Sequence, residues 1–359
     1  MASLSASRAR WLCGMALPVL LATAPWAAAP AAGQPQSNVR LVGAGATFPA
    51  VLYQRWFELY EADHPGTVIA YDAVGSGEGL RRFADRGVKE EERVDFAASE
   101  RPTPDPRGRS AGALTIPMTA GGVVLAYNLP GFEGELRLSR EAYAGIFLGT
   151  VKSWDDSVIA RANPGARLPR LTIAPVVRQD ASGTTFVFTS NLSAVSETWA
   201  SRHGADTLVG WPGTAMRASG NEGVAGRIKL AQGSIGYVGY EYARKLGLKV
   251  ATLENRDGHW VRPEAATFQA GLAAAPLPED LRAQVVDPTG PDAYPIVTFS
   301  WVLLYRSYPD PGKATALRDL FRWCLTNGQR TAPEMGYVEL PPSVVTRALA
   351  AVESVAPAG

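Results

Sequence analysis

Gly43-Ala-Gly-Ala-Thr-Phe-Pro49 is a loop of small residues that follows a predicted strand over residues 38–43 and leads into a predicted helix over residues 49–63. Pro49 stands in the first turn of this helix, where a proline is tolerated. Apolar residues then recur at i, i+4 and i+7, the spacing of one helix face, at Leu52, Trp56 and Leu59. A strand, a short loop and an amphipathic helix in this order are typical of α/β proteins.

The same alternation continues along the chain. Further strands are predicted over residues 67–73, 94–98, 122–127, 172–177, 234–238 and 296–305, and further helices over residues 75–83, 140–148, 184–199 and 315–325. We find no internal repeat and no long linker in this order. A chain of 359 residues built in this way is expected to form α/β domains with mostly parallel sheets, as two domains or one large one.

Composition places the chain among globular proteins. Hydrophobic residues make up 46% and charged residues 19%, which is enough apolar material for a sizeable core. The 35 Lys and Arg residues nearly balance the 34 Asp and Glu residues, so the formal net charge is +1. A general nucleic-acid binder would carry a strong basic excess, so the composition argues against that class of function.

Residues 1–32 have the segment order of a secretory signal peptide. Arg8 and Arg10 precede an apolar stretch over residues 11–29, and small residues follow it. An uncleaved membrane anchor is the less favoured interpretation, because two prolines interrupt the stretch and its length is marginal for a spanning helix. The sequence therefore predicts a secreted protein. Only Cys324 remains after cleavage, so no intramolecular disulfide is expected.

Three short stretches share one design, a small-residue loop that feeds a helix: Gly43–Pro49, Gly75-Ser-Gly-Glu-Gly79 and Asp180-Ala-Ser-Gly-Thr-Thr-Phe186. The amides of a first helical turn lack partners within the helix, and the helix dipole adds positive charge there. Hydroxyl donors accompany these amides at Thr47, Ser76, Ser182 and Thr184. Each stretch alone is most often a simple helix cap. Together with the planar cation of Arg178, they predict a site for a tetrahedral oxyanion.

These residues resemble a known family, the periplasmic phosphate-binding proteins that serve the phosphate-specific ABC importer (the PstS family). The resemblance extends from about residue 41 to about residue 345 and rests on Gly43–Pro49, Val74-Gly-Ser76, Val94-Asp-Phe-Ala-Ala-Ser99, Gly121-Gly-Val-Val124, Val177-Arg-Gln-Asp-Ala-Ser-Gly-Thr184 and Gly236-Tyr-Val238. It implies a two-lobed periplasmic-binding-protein fold with a hinged ligand cleft. Lobe I would hold about residues 35–119 and 297–359, and lobe II about residues 120–296, with crossovers near Thr119 and Ile296.

The resemblance also implies a function and a set of phosphate contacts. The protein would capture inorganic phosphate as a periplasmic monomer, without a cofactor, and deliver it to a membrane permease with an ATPase. The family's anion contacts fall on Thr47, Phe48 through its backbone amide, Ser76, Arg178, Ser182, Gly183 and Thr184, and Asp180 matches the residue that orients the arginine. One position departs from the pattern, because Glu100 stands where the family has an aspartate.

Glu100 bears on the choice between phosphate and sulfate. Phosphate at neutral pH still carries a proton and sulfate does not, so a buried carboxylate can accept a hydrogen bond only from phosphate. We expect Glu100 to keep this role on a side chain longer by one methylene group. The alternative is that Glu100 is a solvated surface acid.

Two other classes of function stay open. A secreted phosphohydrolase would need a nucleophile with its base or a metal cluster. The histidines His64, His203 and His259 lie in polar or turn-like contexts, and Gly108-Arg-Ser-Ala-Gly112 lacks the preceding strand of a nucleophile elbow. No further ligands accompany Asp155-Asp156, so no metal is assigned and no catalysis is predicted. An adhesion protein that reuses the scaffold is the other alternative.

Overall fold

The computed structural model describes residues 39–84, 88–101, 112–211, 213, 215–274 and 277–358. The predicted signal peptide and most of the Gly108–Gly112 motif lie outside these residues. The strands are β1 Val39–Gly45, β2 Thr67–Asp72, β3 Phe96–Ser99, β4 Leu114–Asn128, β5 Arg137–Leu138, β6 Ala174–Arg178, β7 Met216–Ala218, β8 Ser234–Gly239, β9 Lys249–Val250, β10 Thr252–Glu254, β11 Trp260–Val261, β12 Val297–Leu304, β13 Ser307–Tyr308 and β14 Ala356–Pro357.

Helices alternate with these strands over most of the described chain. They are α1 Ala50–Asp63, α2 Ser76–Phe83, α3 Arg140–Leu148, α4 Ser157–Ala162, α5 Gly183–Val195, α6 Glu197–Arg202, α7 Gly220–Leu230, α8 Tyr240–Leu246, α9 Ala265–Ala273, α10 Pro311–Thr326 and α11 Pro342–Glu353. The predicted helix over residues 184–199 is in fact two helices, α5 and α6. Ser196 separates them because its hydroxyl accepts a hydrogen bond from the amide of Trp199 and so starts a new helix.

A nine-stranded sheet forms the centre of the fold, in the order β2-β1-β3-β12-β4-β8-β6-β7, with β9 beside β4. The outer strands of both halves pair in parallel, as predicted: β1 with β2 and β3, and β6 with β7 and β8. The central strands β4 and β12 pair antiparallel with their neighbours. The sheet as a whole is therefore mixed rather than mostly parallel, because two antiparallel strands lie at its centre.

Strand β4 joins two half-sheets and gives the chain its two-lobed α/β form. Its residues Leu114 to Gly122 pair with β12, and its residues Val123 to Asn128 pair with β8. We call β2, β1, β3, β12 and the first part of β4 the first half-sheet, and the rest of β4 with β8, β6, β7 and β9 the second half-sheet. Nearly all of β4 is buried, which agrees with its long, largely apolar sequence.

The carboxyl ends of the strands position the candidate site. In the first half-sheet, β1 leads into α1, β2 leads into α2, and β3 ends directly before Glu100. In the second half-sheet, β6 ends at Arg178 before α5, and β7 leads into α7. Open α/β sheets bind ligands at the carboxyl ends of their strands, so this arrangement brings the predicted loops to the edge where a ligand site is expected.

Cys324 is buried and forms no disulfide with a described residue. Within the described ranges, no helix is both long enough and apolar enough to span a membrane.

Candidate functional site

The candidate site lies between the two half-sheets and is almost completely buried. Of its polar side chains, those of Ser76 and Ser182 are 0% exposed, those of Glu100, Arg178 and Thr184 are 1% exposed, and that of Thr47 is 6% exposed. Residues far apart in the sequence meet here because five strand ends converge. The hydrogen bonds described below show which of the predicted residues the fold brings together.

Ser76 and Gly183 join the two sides of the site. The amide of Gly183 donates to Ser76 Oγ at 3.1 Å, and Ser76 Oγ donates to Glu100 Oε2 at 3.3 Å. A Cβ atom at Gly183 would lie 2.2 Å from Glu100 Oε2 and 2.6 Å from Ser76 Oγ. Any side chain at position 183 would therefore have to displace Glu100 and Ser76 of the opposite half-sheet.

Glu100 is buried beside Ser76, so it is not a solvated surface acid, and its role toward the ligand stays a prediction. Its Oε1 accepts a hydrogen bond from Ser300 Oγ at 2.9 Å. Burial raises the pKa of the Glu100 carboxyl to about 7, although the hydrogen bond from Ser300 and the charge of Arg178 act in the opposite direction. The group can therefore exchange a proton near neutral pH. The extra methylene, relative to aspartate, is accommodated by a side chain that stays buried between Ser76 and Ser300.

Arg178 is held by Asp180 along one edge of its guanidinium group. Nε donates to Asp180 Oδ1 at 2.8 Å, and Nη2 donates to Oδ2. Burial raises the pKa of the Asp180 carboxyl, but the hydrogen bonds and charge of Arg178 and the amide of Gly220 outweigh it, so the pKa lies below its ordinary value. The third nitrogen, Arg178 Nη1, is buried and has no hydrogen-bond partner among the described residues. One edge of the cation is thus fixed and the other can bind an anion.

The remaining predicted residues lie at the starts of helices. Ser182 is the N-cap of α5, and its Oγ accepts from the amide of Thr185 at 3.1 Å. Thr47 and Phe48 precede α1, and tyrosine hydroxyls hold their carbonyl oxygens: Tyr242 donates to Thr47 O and Tyr337 to Phe48 O, both at 2.7 Å. These bonds fix the loop of small residues that the sequence singled out.

Two residues that the sequence analysis missed also belong to the site. Asn221 donates through Nδ2 to Thr47 Oγ1 at 2.9 Å and to Thr184 Oγ1 at 3.1 Å. Ser300 holds Glu100 and lies at an irregularity of β12, where the pairing with β4 shifts register. Ser300 could have been noticed as a polar residue inside an apolar strand, and Asn221 as the residue after a glycine at a helix start.

The groups that would mark a hydrolase in the sequence have structural surroundings of their own in the described part of the chain. His64 stacks on Tyr60 and His203 packs against Trp199, and neither contacts the candidate site. Asp156 accepts from the amide of Val158 and so caps α4. Among the described residues, no group of three or more His, Cys, Asp or Glu side chains could hold a metal ion. Buried donors beside one acceptor carboxyl are suited to a small oxyanion that carries a proton.

Comparison with known proteins places the chain in a family. A model of the PBP superfamily domain matches residues 27–327. The phosphate-binding protein PstS of Xylella fastidiosa is 37% identical over 319 residues, which are 88% of this chain and 85% of that protein. PstS of Methanocaldococcus jannaschii is 37% identical over 349 residues, which are 91% of this chain and 89% of that protein.

Solved structures share the fold. A high-affinity periplasmic phosphate-binding protein bound with phosphate gives a TM-score of 0.70 at 23% identity, over 87% of this chain and 93% of that one. A phosphate-binding protein from Stenotrophomonas maltophilia gives a TM-score of 0.64 at 20% identity, over 87% and 93% of the two chains. At these identities the likeness shows the fold alone. The superfamily match and the two relatives show that the chain belongs to the PstS phosphate-binding proteins of the PBP superfamily.

Proposed function

We propose that the protein is a secreted, periplasmic substrate-binding protein that captures inorganic phosphate and delivers it to the permease and ATPase of an ABC importer. The observation that carries the proposal is Arg178 Nη1, a buried donor without a partner among the described residues. A buried charged donor is costly unless it is hydrogen-bonded. A phosphate oxygen at this nitrogen would satisfy it, and the two PstS relatives are named for binding the same ligand.

The proposed contacts come from both sides of the cleft. Lobe I, residues 35–119 and 297–359, would contribute Thr47, the Phe48 amide, Ser76 and Glu100. Lobe II, residues 120–296, would contribute Arg178, Ser182, Gly183 and Thr184, with Asp180 orienting the arginine. A hydrogen bond of 2.9 Å from Gly77 N to Ala181 O supports a closed arrangement of these two sides. Neither side alone surrounds an anion, so tight binding requires closure.

Calorimetric titration of the purified protein tests the proposed ligand. Phosphate is expected to bind with one site per chain, and sulfate at the same concentration is expected to give no saturable heat. A protein that does not bind phosphate would contradict the proposal and favour the adhesion alternative. Steady release of phosphate from a phosphate monoester would instead favour a hydrolase, since we assign no catalytic step to this site.

Closure itself predicts a change in shape. Small-angle X-ray scattering is expected to give a smaller radius of gyration with saturating phosphate than without it, because the anion bridges the two lobes. Arg178→Ala at the same phosphate concentration is the control, and it is expected to keep the larger radius. Identical scattering of the wild-type protein in both conditions would contradict closure while leaving binding intact.

A further inference from the structure

Asn221, the second residue of α7, contacts hydroxyl groups on both sides of the candidate site. It is 0% exposed. Its backbone amide donates to Thr47 Oγ1 at 3.1 Å, and its Nδ2 donates to the same oxygen at 2.9 Å. Nδ2 also donates to Thr184 Oγ1 at 3.1 Å. One residue therefore controls the two threonine hydroxyls that the sequence placed in the site.

The direction of the Asn221 amide is fixed by a third contact. The amide N–H of Gly239 donates to Asn221 Oδ1 at 2.9 Å. Because the oxygen of a side-chain amide accepts and its nitrogen donates, Oδ1 must face Gly239 and Nδ2 must face the threonines. Gly220 allows the close approach: its φ is +66°, and a Cβ atom there would lie 3.3 Å from Thr47 Cγ2.

Counting hydrogen-bond capacity shows what the threonines can still do. A hydroxyl has one proton and two lone pairs. Asn221 uses both lone pairs of Thr47 Oγ1, so Thr47 can make a further hydrogen bond only as a donor. Thr184 Oγ1 accepts from Nδ2, which cannot accept a bond in return, so the proton of Thr184 must go to another acceptor.

We infer that Asn221 is a positioning residue that makes Thr47 and Thr184 donate their hydroxyl protons to the bound oxyanion. The inference rests on the proposed function, because it requires an oxyanion against these hydroxyls. A hydroxyl that is already oriented loses no rotational freedom when the anion binds. It also presents its proton, and not a lone pair, to the oxygen of the anion. Glu100 is then the side chain that accepts the proton of the ligand.

A double-mutant cycle tests this role by calorimetric titration with sodium phosphate. Asn221→Ala is made in the wild-type chain and in a chain that carries Thr47→Val and Thr184→Val. In the wild-type chain we expect affinity to fall about 10- to 100-fold. In the doubly substituted chain we expect a fall of less than about threefold, because the hydroxyls that Asn221 orients are gone. An equal loss in both chains overturns the inference, because Asn221 would then act through packing or closure.

Two further variants separate this role from folding. Asn191→Ala removes another buried asparagine, whose Nδ2 donates to Pro295 O at 3.0 Å, and it is expected to lower the unfolding temperature while phosphate affinity stays within about twofold. Asn221→Leu keeps the volume of the side chain and repeats the cycle if Asn221→Ala does not fold. A wild-type protein that fails to bind phosphate would contradict the proposed function. If the wild type binds phosphate but Asn221→Ala lowers affinity equally in both chains, only the inference about Asn221 is contradicted.

Discussion

Arg178→Ala is expected to weaken phosphate binding by about 2–5 kcal/mol, which corresponds to roughly 30- to 5,000-fold in affinity. The guanidinium is buried, Asp180 holds one of its edges, and Nη1 is the donor that we assign to phosphate. Truncation removes that donor and also leaves the half-buried Asp180 without its arginine partner. Titration of the purified variant with phosphate measures the loss.

Two controls define what this result means. Arg178→Lys is expected to recover only part of the affinity, because a lysine cannot bind Asp180 and an anion through a planar fork. Arg140→Ala removes another bidentate arginine, which binds Asp287 at 2.5 and 2.7 Å, and it is expected to lower stability without changing phosphate affinity. Undiminished phosphate affinity in Arg178→Ala would exclude this arginine from the site.

Glu100→Gln is expected to lower the ratio of phosphate affinity to sulfate affinity by about 100-fold or more. The carboxylate accepts a hydrogen bond from the O–H group of phosphate. Sulfate has no proton to donate, so its oxygen would face the carboxylate without a hydrogen bond, whereas the N–H group of an amide can donate to sulfate. Glu100→Asp is expected to preserve selectivity, because the acceptor remains. Titrations with both anions give the ratio, and an unchanged ratio in Glu100→Gln would mean that another group discriminates between them.

Glu100→Gln is also expected to change how the stability of the phosphate-free protein depends on pH. Folding raises the pKa of Glu100 from 4.5 to about 7, so the folded state binds this proton more tightly than the unfolded state does. The resulting stabilisation is present at low pH and is lost as the pH rises from about 4.5 to about 7, on the order of 3 kcal/mol in total. Denaturant unfolding at pH 5 and pH 8 should show this loss in the wild type and less of it in Glu100→Gln.

Much of the site could be predicted from sequence because its parts are local. Arg178, Ser182 and Thr184 come from one stretch that runs from the end of β6 into α5, and strand, loop and helix start are each readable from a few neighbouring residues. Ser76 is the same case at the start of α2. The loop before α1 is likewise predictable from neighbouring residues, although hydrogen bonds from the distant Tyr242 and Tyr337 fix its carbonyl oxygens.

The missed parts depend on contacts across the fold. Asn221 meets Thr47 over 174 positions of sequence, and Ser300 meets Glu100 over 200 positions, so no local pattern connects the partners. The mixed pairing of the sheet has the same origin, since β12 comes late in the chain and inserts between β3 and β4. A pattern of alternating strands and helices does not specify which strand lies at the centre.

The contact of Gly183 with Ser76 and Glu100 bears on how long a ligand stays bound. The two sides meet so closely there that even a Cβ atom has no room, and a tetrahedral anion cannot pass. We therefore expect dissociation to wait for the lobes to separate, so that the residence time of phosphate is limited by the rate of opening. A membrane partner that holds the lobes apart would then release phosphate without competing for it.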